Sequence, residues 1–149
     1  MSRTTAPVMI RYLFCVCGLA FALFFLGCGG PQDDSVPVRG KLTNGGQPLA
    51  VKGRELGLGY VELHFYRMSD DGTIDKDPAD AAVEESGEFT VRGRDGRGLP
   101  PGKYKITVRQ LDPAPDNDKL GGRFNLQNTP LVREVTDEEI VIDLARPEG

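Results

Sequence analysis

From Val36 to Leu144 apolar and polar side chains alternate with period two, in short runs broken by Gly, Pro, Asn and Asp. The breaks fall at the roughly 8–12-residue spacing of an all-β sandwich or barrel. Val36, Val38, Gly40 and Leu42 alternate with Pro37, Arg39, Lys41 and Thr43, and Asn44-Gly45-Gly46 follows as a turn tolerant of positive φ. Gln47 to Val51 reads as a short return strand. Tyr60 to Arg67 is the clearest half-buried strand: Val61, Leu63 and Phe65 share one face, and Tyr60, Glu62, His64 and Tyr66 the other. After a Ser86-Gly87 turn, Phe89 and Val91 alternate with Glu88, Thr90 and Arg92. Tyr104, Ile106 and Val108 then face in, while Lys103, Lys105, Thr107 and Arg109 make a wet, cationic face. Leu131 to Val135 and Ile140 to Leu144 supply the last two strands. The best helical candidate, Asp80 to Glu85, is too short to stand alone.

The first segment obeys a different pattern. Tyr12 to Leu26 carries no charge, and Arg3 and Arg11 are the only charges before Asp33. A basic start followed by an apolar run reads as a secretory signal. The run ends in Phe25-Leu26-Gly27-Cys28, which resembles the lipobox of bacterial lipoproteins, where a small residue precedes a cysteine that is acylated and becomes the new N-terminus. Phe25 stands where that pattern prefers Leu. The expected organisation is a signal peptide over 1–27, a flexible tether over 28–35, a sandwich over 36–145 and a tail over 146–149. The implied partner is a lipid bilayer, reached through acylated Cys28. An uncleaved anchor helix or simple secretion are the alternatives; in the anchored readings the soluble domain stays outside the inner membrane, on its periplasmic side or at the cell surface.

Composition narrows the function. The chain has 149 residues, three Cys, one His, no Trp and a net charge of −4. Cys15 and Cys17 lie in the leader and Cys28 would carry lipid, so the mature domain must draw its stability from an apolar core and not from disulfides. Loss of residues 1–27 removes two arginines and no acid, moving the charge to −6. Lys and Arg are interspersed with acids, which argues against a nucleic-acid partner.

Candidate chemistry is sparse. His64 lies beside Glu62 and Tyr66 on the polar face of its strand, where a His–Glu pair could do acid–base work, but no nucleophile motif accompanies it. Asp70, Asp71, Asp75, Asp77 and Asp80 crowd one loop. Such oxygen density can hold calcium, with Asp71, Asp75 and Asp77 as the candidate ligands, yet EF-hand spacing is missing and the expected state is an exposed hairpin loop. Lys41 and Asp143 could form an isopeptide cross-link only if both and an assisting acid were buried, and alternation turns both outward. Arg92, Arg94, Arg97, Lys103, Lys105 and Arg109 are expected on two neighbouring strands, as a solvated face or a surface for an acidic polymer. No cofactor is expected.

Four segments carry a family likeness: Val38-Arg-Gly-Lys-Leu-Thr-Asn-Gly-Gly-Gln-Pro-Leu49, Gly59-Tyr-Val-Glu-Leu-His-Phe65, Gly87-Glu-Phe-Thr-Val91 and Leu99-Pro-Pro-Gly-Lys-Tyr-Lys-Ile-Thr-Val108. They resemble the carboxypeptidase regulatory-like domain, and most nearly the small planctomycete lipoproteins that contain it. The resemblance spans Val36 to about Leu144. It implies a single seven-stranded transthyretin-like, or prealbumin-like, β-sandwich after the signal helix. Physically, Gly-x-Pro-Leu makes a tight turn that drops Leu49 into the core, and Pro-Pro-Gly-x-Tyr sends Tyr104 inward with a hydroxyl in need of a partner. The stretch Lys52 to Gly59 is longer than the usual link and offers a contact loop. These are folding motifs without catalytic groups. The expected role is a non-catalytic, lipid-anchored envelope module that is structural, adhesive or protein-binding. The alternative is a carbohydrate-binding-like accessory protein using Tyr60, His64 and Tyr66, with glycans or envelope proteins as partners.

Overall fold

A computed structural model describes residues 34–148, and the leader, Cys28 and most of the tether lie outside them. Seven strands form: β1 (Val38–Thr43), β2 (Tyr60–Arg67), β3 (Ala79–Ala82), β4 (Glu88–Val91), β5 (Gly102–Leu111), β6 (Val132–Val135) and β7 (Ile140–Asp143). They make two sheets, a three-stranded one in the order β4-β1-β7 and a four-stranded one in the order β3-β2-β5-β6. All pairings are antiparallel except β1 with β7. Among the described residues the only helical element is a 3-10 turn at Arg54–Leu56, and no helix is long and apolar enough to cross a membrane.

Alternation explains why the sheets stack. Successive strand side chains point to opposite faces, so Val38 and Leu42 of β1, Leu63 and Phe65 of β2 and Ile106 and Val108 of β5 all enter one buried cluster. Phe65 joins the two sheets: its ring lies 6.0 Å from that of Phe89 on β4 and 6.5 Å from that of Tyr104 on β5. Gly40 faces inward on β1 because no side chain fits there. A Cβ would stand 2.1 Å from the Ile140 carbonyl oxygen and 2.4 Å from the Phe89 ring.

Most strand expectations are met, including Tyr60–Arg67 at both ends, but two are not. Gln47 to Val51 forms no strand. Asn44 and Gln47 close the turn through a bridge, and Leu49 then packs against the core from a coil. The seventh strand is instead β3, which overlaps Asp80 to Glu85, the best helical candidate. Ala81 and Val83 are buried while Asp80 and Ala82 are exposed, so the period was two and the small alanines masked it. β3 lines the outer edge of β2, with His64 opposite Asp80.

The long stretch after β5 extends the sheet without forming a regular strand. Val108 and Ile106 donate their amides to the carbonyls of Phe124 and Leu131. Phe124 and Leu131 are buried in the core. Asp118 holds the entry to this stretch by accepting the amides of Gln110, Leu120 and Gly122 at 3.0–3.1 Å.

Candidate functional site

The outer face of the four-stranded sheet gathers most of the chemistry. Alternation on β2 brings out Tyr60, Glu62, His64 and Tyr66. The β2–β5 register sets Glu62 opposite Arg109, His64 opposite Thr107 and Tyr66 opposite Lys105, while β3 contributes Asp80. His64 Nδ1 lies 2.6 Å from Asp80 Oδ1, and its Nε2 lies 3.4 Å from Glu62 Oε1. Arg109 donates through Nη1 to the same Glu62 oxygen at 3.1 Å. A polar chain Asp80–His64–Glu62–Arg109 therefore runs across three strands. Both ring nitrogens of His64 face carboxylates, so it is a bridge between acids. The Tyr66 ring sits 6.4 Å from the His64 ring.

Sequence reasoning found Glu62, His64 and Tyr66 but placed Asp80 in the acidic loop, at the start of the best helical candidate, and so did not set it beside His64. The signal that would have found it is the Ala79-Asp80-Ala81-Ala82-Val83 alternation. Thr107, expected on the wet face, is buried. Its place opposite His64, in the middle of the central strands, removes it from water.

The Asp-rich loop does not converge. Asp71 accepts the Thr73 amide, which holds its carboxyl below the usual range. Asp77 pairs with Arg94 at 2.9 Å, and Asp80 is taken by His64. Among the described residues no cluster of three or more His, Cys, Asp or Glu side chains is arranged to hold a metal ion.

The expected cationic stripe is divided. Arg92 follows β4 in the three-stranded sheet, whereas Lys103, Lys105 and Arg109 lie on β5 in the other, so the two sets are not on neighbouring strands. β4 and β5 are joined by a connection between sheets, which alternation cannot distinguish from a hairpin. Arg92 and Arg97 line an open groove of about 1140 Å³ shared with Glu84, Glu88 and Glu138. Lys103 faces Glu134 across the β5–β6 register.

Lys41 is exposed, as expected, and pairs through its backbone with Val141. Asp143 is not an outward surface charge. Its side chain is only 13% exposed, and it accepts the amides of Gly45 at 2.7 Å and Ala145 at 3.1 Å and a hydrogen bond from Arg146 at 3.2 Å. These donors lower its pKa. It organises two turns at the end of the sandwich.

The loop ahead of β2 has a built shape. Gly53 and Gly57 adopt positive φ on either side of the Arg54–Leu56 turn. The Lys52 amide donates to Asp112, and the Ala114 amide donates to the Leu58 carbonyl at 2.7 Å. The guanidinium of Arg54 donates to the Val83 carbonyl. So fastened, the loop leaves Leu56 70% and Leu58 55% exposed. No family model, curated protein or solved structure matches the chain.

Proposed function

We propose that this chain is a non-catalytic, lipid-anchored module of the cell envelope, tethered to a bilayer through acylated Cys28 and acting by binding other envelope proteins. In this reading the sandwich is of the transthyretin-like, carboxypeptidase regulatory-like kind. Seven strands divided three and four support it, as does Tyr104 turned inward with its hydroxyl on the Pro100 carbonyl. The observation that carries the binding role is the fastened loop with outward leucines. Two outward leucines on a loop held by hydrogen bonds form a fixed apolar patch that a partner would cover. The bridged state of His64 between two carboxylates favours a positioning role for that residue over catalysis.

The test is the intact mass and detergent partitioning of the full chain beside a Cys28→Ser variant. Loss of residues 1–27 with a gain of acyl mass, both abolished in the variant, is the expected result. An unmodified mass in the wild type would overturn the anchoring.

A second reading, carbohydrate binding, draws on the row of Tyr60, His64 and Tyr66 along one face of β2. Sugars stack on exposed aromatic faces, and with no Trp in the chain only weak binding is expected. Glycan pull-down with wild type against Tyr66→Ala distinguishes it.

A further inference from the structure

The strand directions give the sandwich two unlike ends. The chain enters at Val36, whose amide and carbonyl pair with Leu99 at 2.8 and 2.9 Å, close to the start of β5 at Gly102. β5 then runs for 10 residues to Leu111, which pairs with Tyr60; at about 3.3 Å per residue this is about 30 Å. The Lys52–Gly59 loop is bound to residues 112–114 just beyond Leu111. The exposed Leu56 and Leu58 therefore occupy the end of the domain opposite to the one that holds Val36. Tyr60, 38% exposed, and the exposed Pro113 and Pro115 extend the apolar tip.

The surroundings of the tip are acidic. Glu55 belongs to the same turn, Glu84 and Glu85 follow the Val83 carbonyl that holds Arg54, and Asp116 lies in the facing loop; all four are exposed. Lys52 and Arg54 are the cations of the loop and the exposed Lys119 follows Asp118 at its bridge to Leu111, so the acids still outnumber the cations around the tip. Two leucines and a tyrosine offer roughly 300 Å² as the apolar centre of a contact, and in a tip-to-tip pair the acidic rim would meet its own like charge, so a second copy is a poor occupant. An acidic rim is repelled by anionic lipid headgroups. We propose that this tip is a plug for a protein partner that presents an apolar socket rimmed by Lys and Arg. The leucines supply contact area, and the acidic rim steers and selects the partner.

The inference rests on the envelope-module reading and is tested so that the two can fail separately. A photo-cross-linking p-benzoylphenylalanine is placed at Leu56, or at the exposed Val141 on β7 as control, in the full chain in envelopes of cells carrying its gene. The expected result is a discrete protein adduct from position 56 and none from 141. The mapped partner peptide should be apolar with flanking Lys or Arg, and Glu55→Lys with Glu85→Lys should lower the yield at least about threefold. Cross-linking to lipid, or flotation of the purified chain with phosphatidylethanolamine–phosphatidylglycerol vesicles that Leu56→Asp abolishes, would overturn the proposal in favour of a membrane. A self-adduct would overturn it in favour of a second copy, and equal adducts at both positions or none at 56 would overturn it outright. The same adduct from Cys28→Ser chain of unchanged mass would leave the plug standing while an unmodified wild-type mass removes the anchor.

Discussion

The hydroxyl of Tyr104, near the start of β5 on its buried face, donates to the carbonyl of Pro100 at 2.9 Å. One bond thereby ties the central strand to the Pro-Pro-Gly turn that starts it. Tyr104→Phe keeps the ring in the core and loses this bond, at an expected cost of about 1 kcal/mol in denaturant unfolding. Burial raises the phenol above its ordinary value of 10.0, an effect that Arg67 opposes and Asp75 reinforces. The unfolded chain therefore loses this proton at lower pH than the folded one, so the contribution is complete below about pH 10 and fades as pH climbs through the folded value. The wild type should lose stability more steeply above pH 10 than Tyr104→Phe; parallel curves would refute this.

Asp143 behaves in the opposite sense. The amides of Gly45 and Ala145, and then Arg146, hold its pKa below the ordinary value of 3.8. Its contribution is present above the unfolded carboxylate value and is lost as pH falls through the folded one. Asp143→Ala should have a lower melting temperature at neutral pH, and the gap should close in acid. A gap that persists below pH 2 would mean that the charge is not what organises these turns.

Gly40 is required for space, since its φ is not in the left-handed region. Gly40→Ala is expected to cost about 3 kcal/mol by overpacking. Adding Phe89→Leu should recover only part, because the Ile140 carbonyl still stands in the way. Full recovery in the double variant would show that the ring alone excludes the methyl.

Thr129 fastens the irregular stretch to β5. Its buried hydroxyl donates to the Ile106 carbonyl at 2.7 Å and accepts the Leu131 amide at 3.2 Å. Thr129→Val preserves shape and strips both bonds, with an expected loss of about 1–3 kcal/mol. Hydrogen exchange at Leu131 and Val108 should accelerate in the variant, and unchanged protection at Leu131 would argue against the role.

Calcium at about millimolar concentration is expected to leave the melting temperature of the full chain unchanged, since Asp71 and Asp77 are engaged with separate partners. An upward shift abolished by Asp75→Asn would restore the loop as a cation site.

Period-two alternation made β2 and β5 legible because their inner residues are large and apolar and their outer ones charged. It failed at Ala79–Ala82, where Ala carries little hydrophobic contrast and is a good helix former in isolation. The wet face of β2 could be read from Tyr60, Glu62, His64 and Tyr66, but Asp80 could not, since its nearness to His64 depends on which strand pairs with β2. The same gap separates the expected cationic stripe from the observed one.

Local pattern thus determined which residues turn inward, where the turns fall and that the domain is all-β, because each depends on neighbours within a few residues. Tertiary structure alone decided that β4 and β5 part into different sheets, that Asp143 serves turns contributed by distant parts of the chain, and that the leucine loop lies at the end of the domain opposite Val36. Those outcomes depend on long-range pairing, in which strands of nearly equivalent pattern compete and the shared core selects one arrangement.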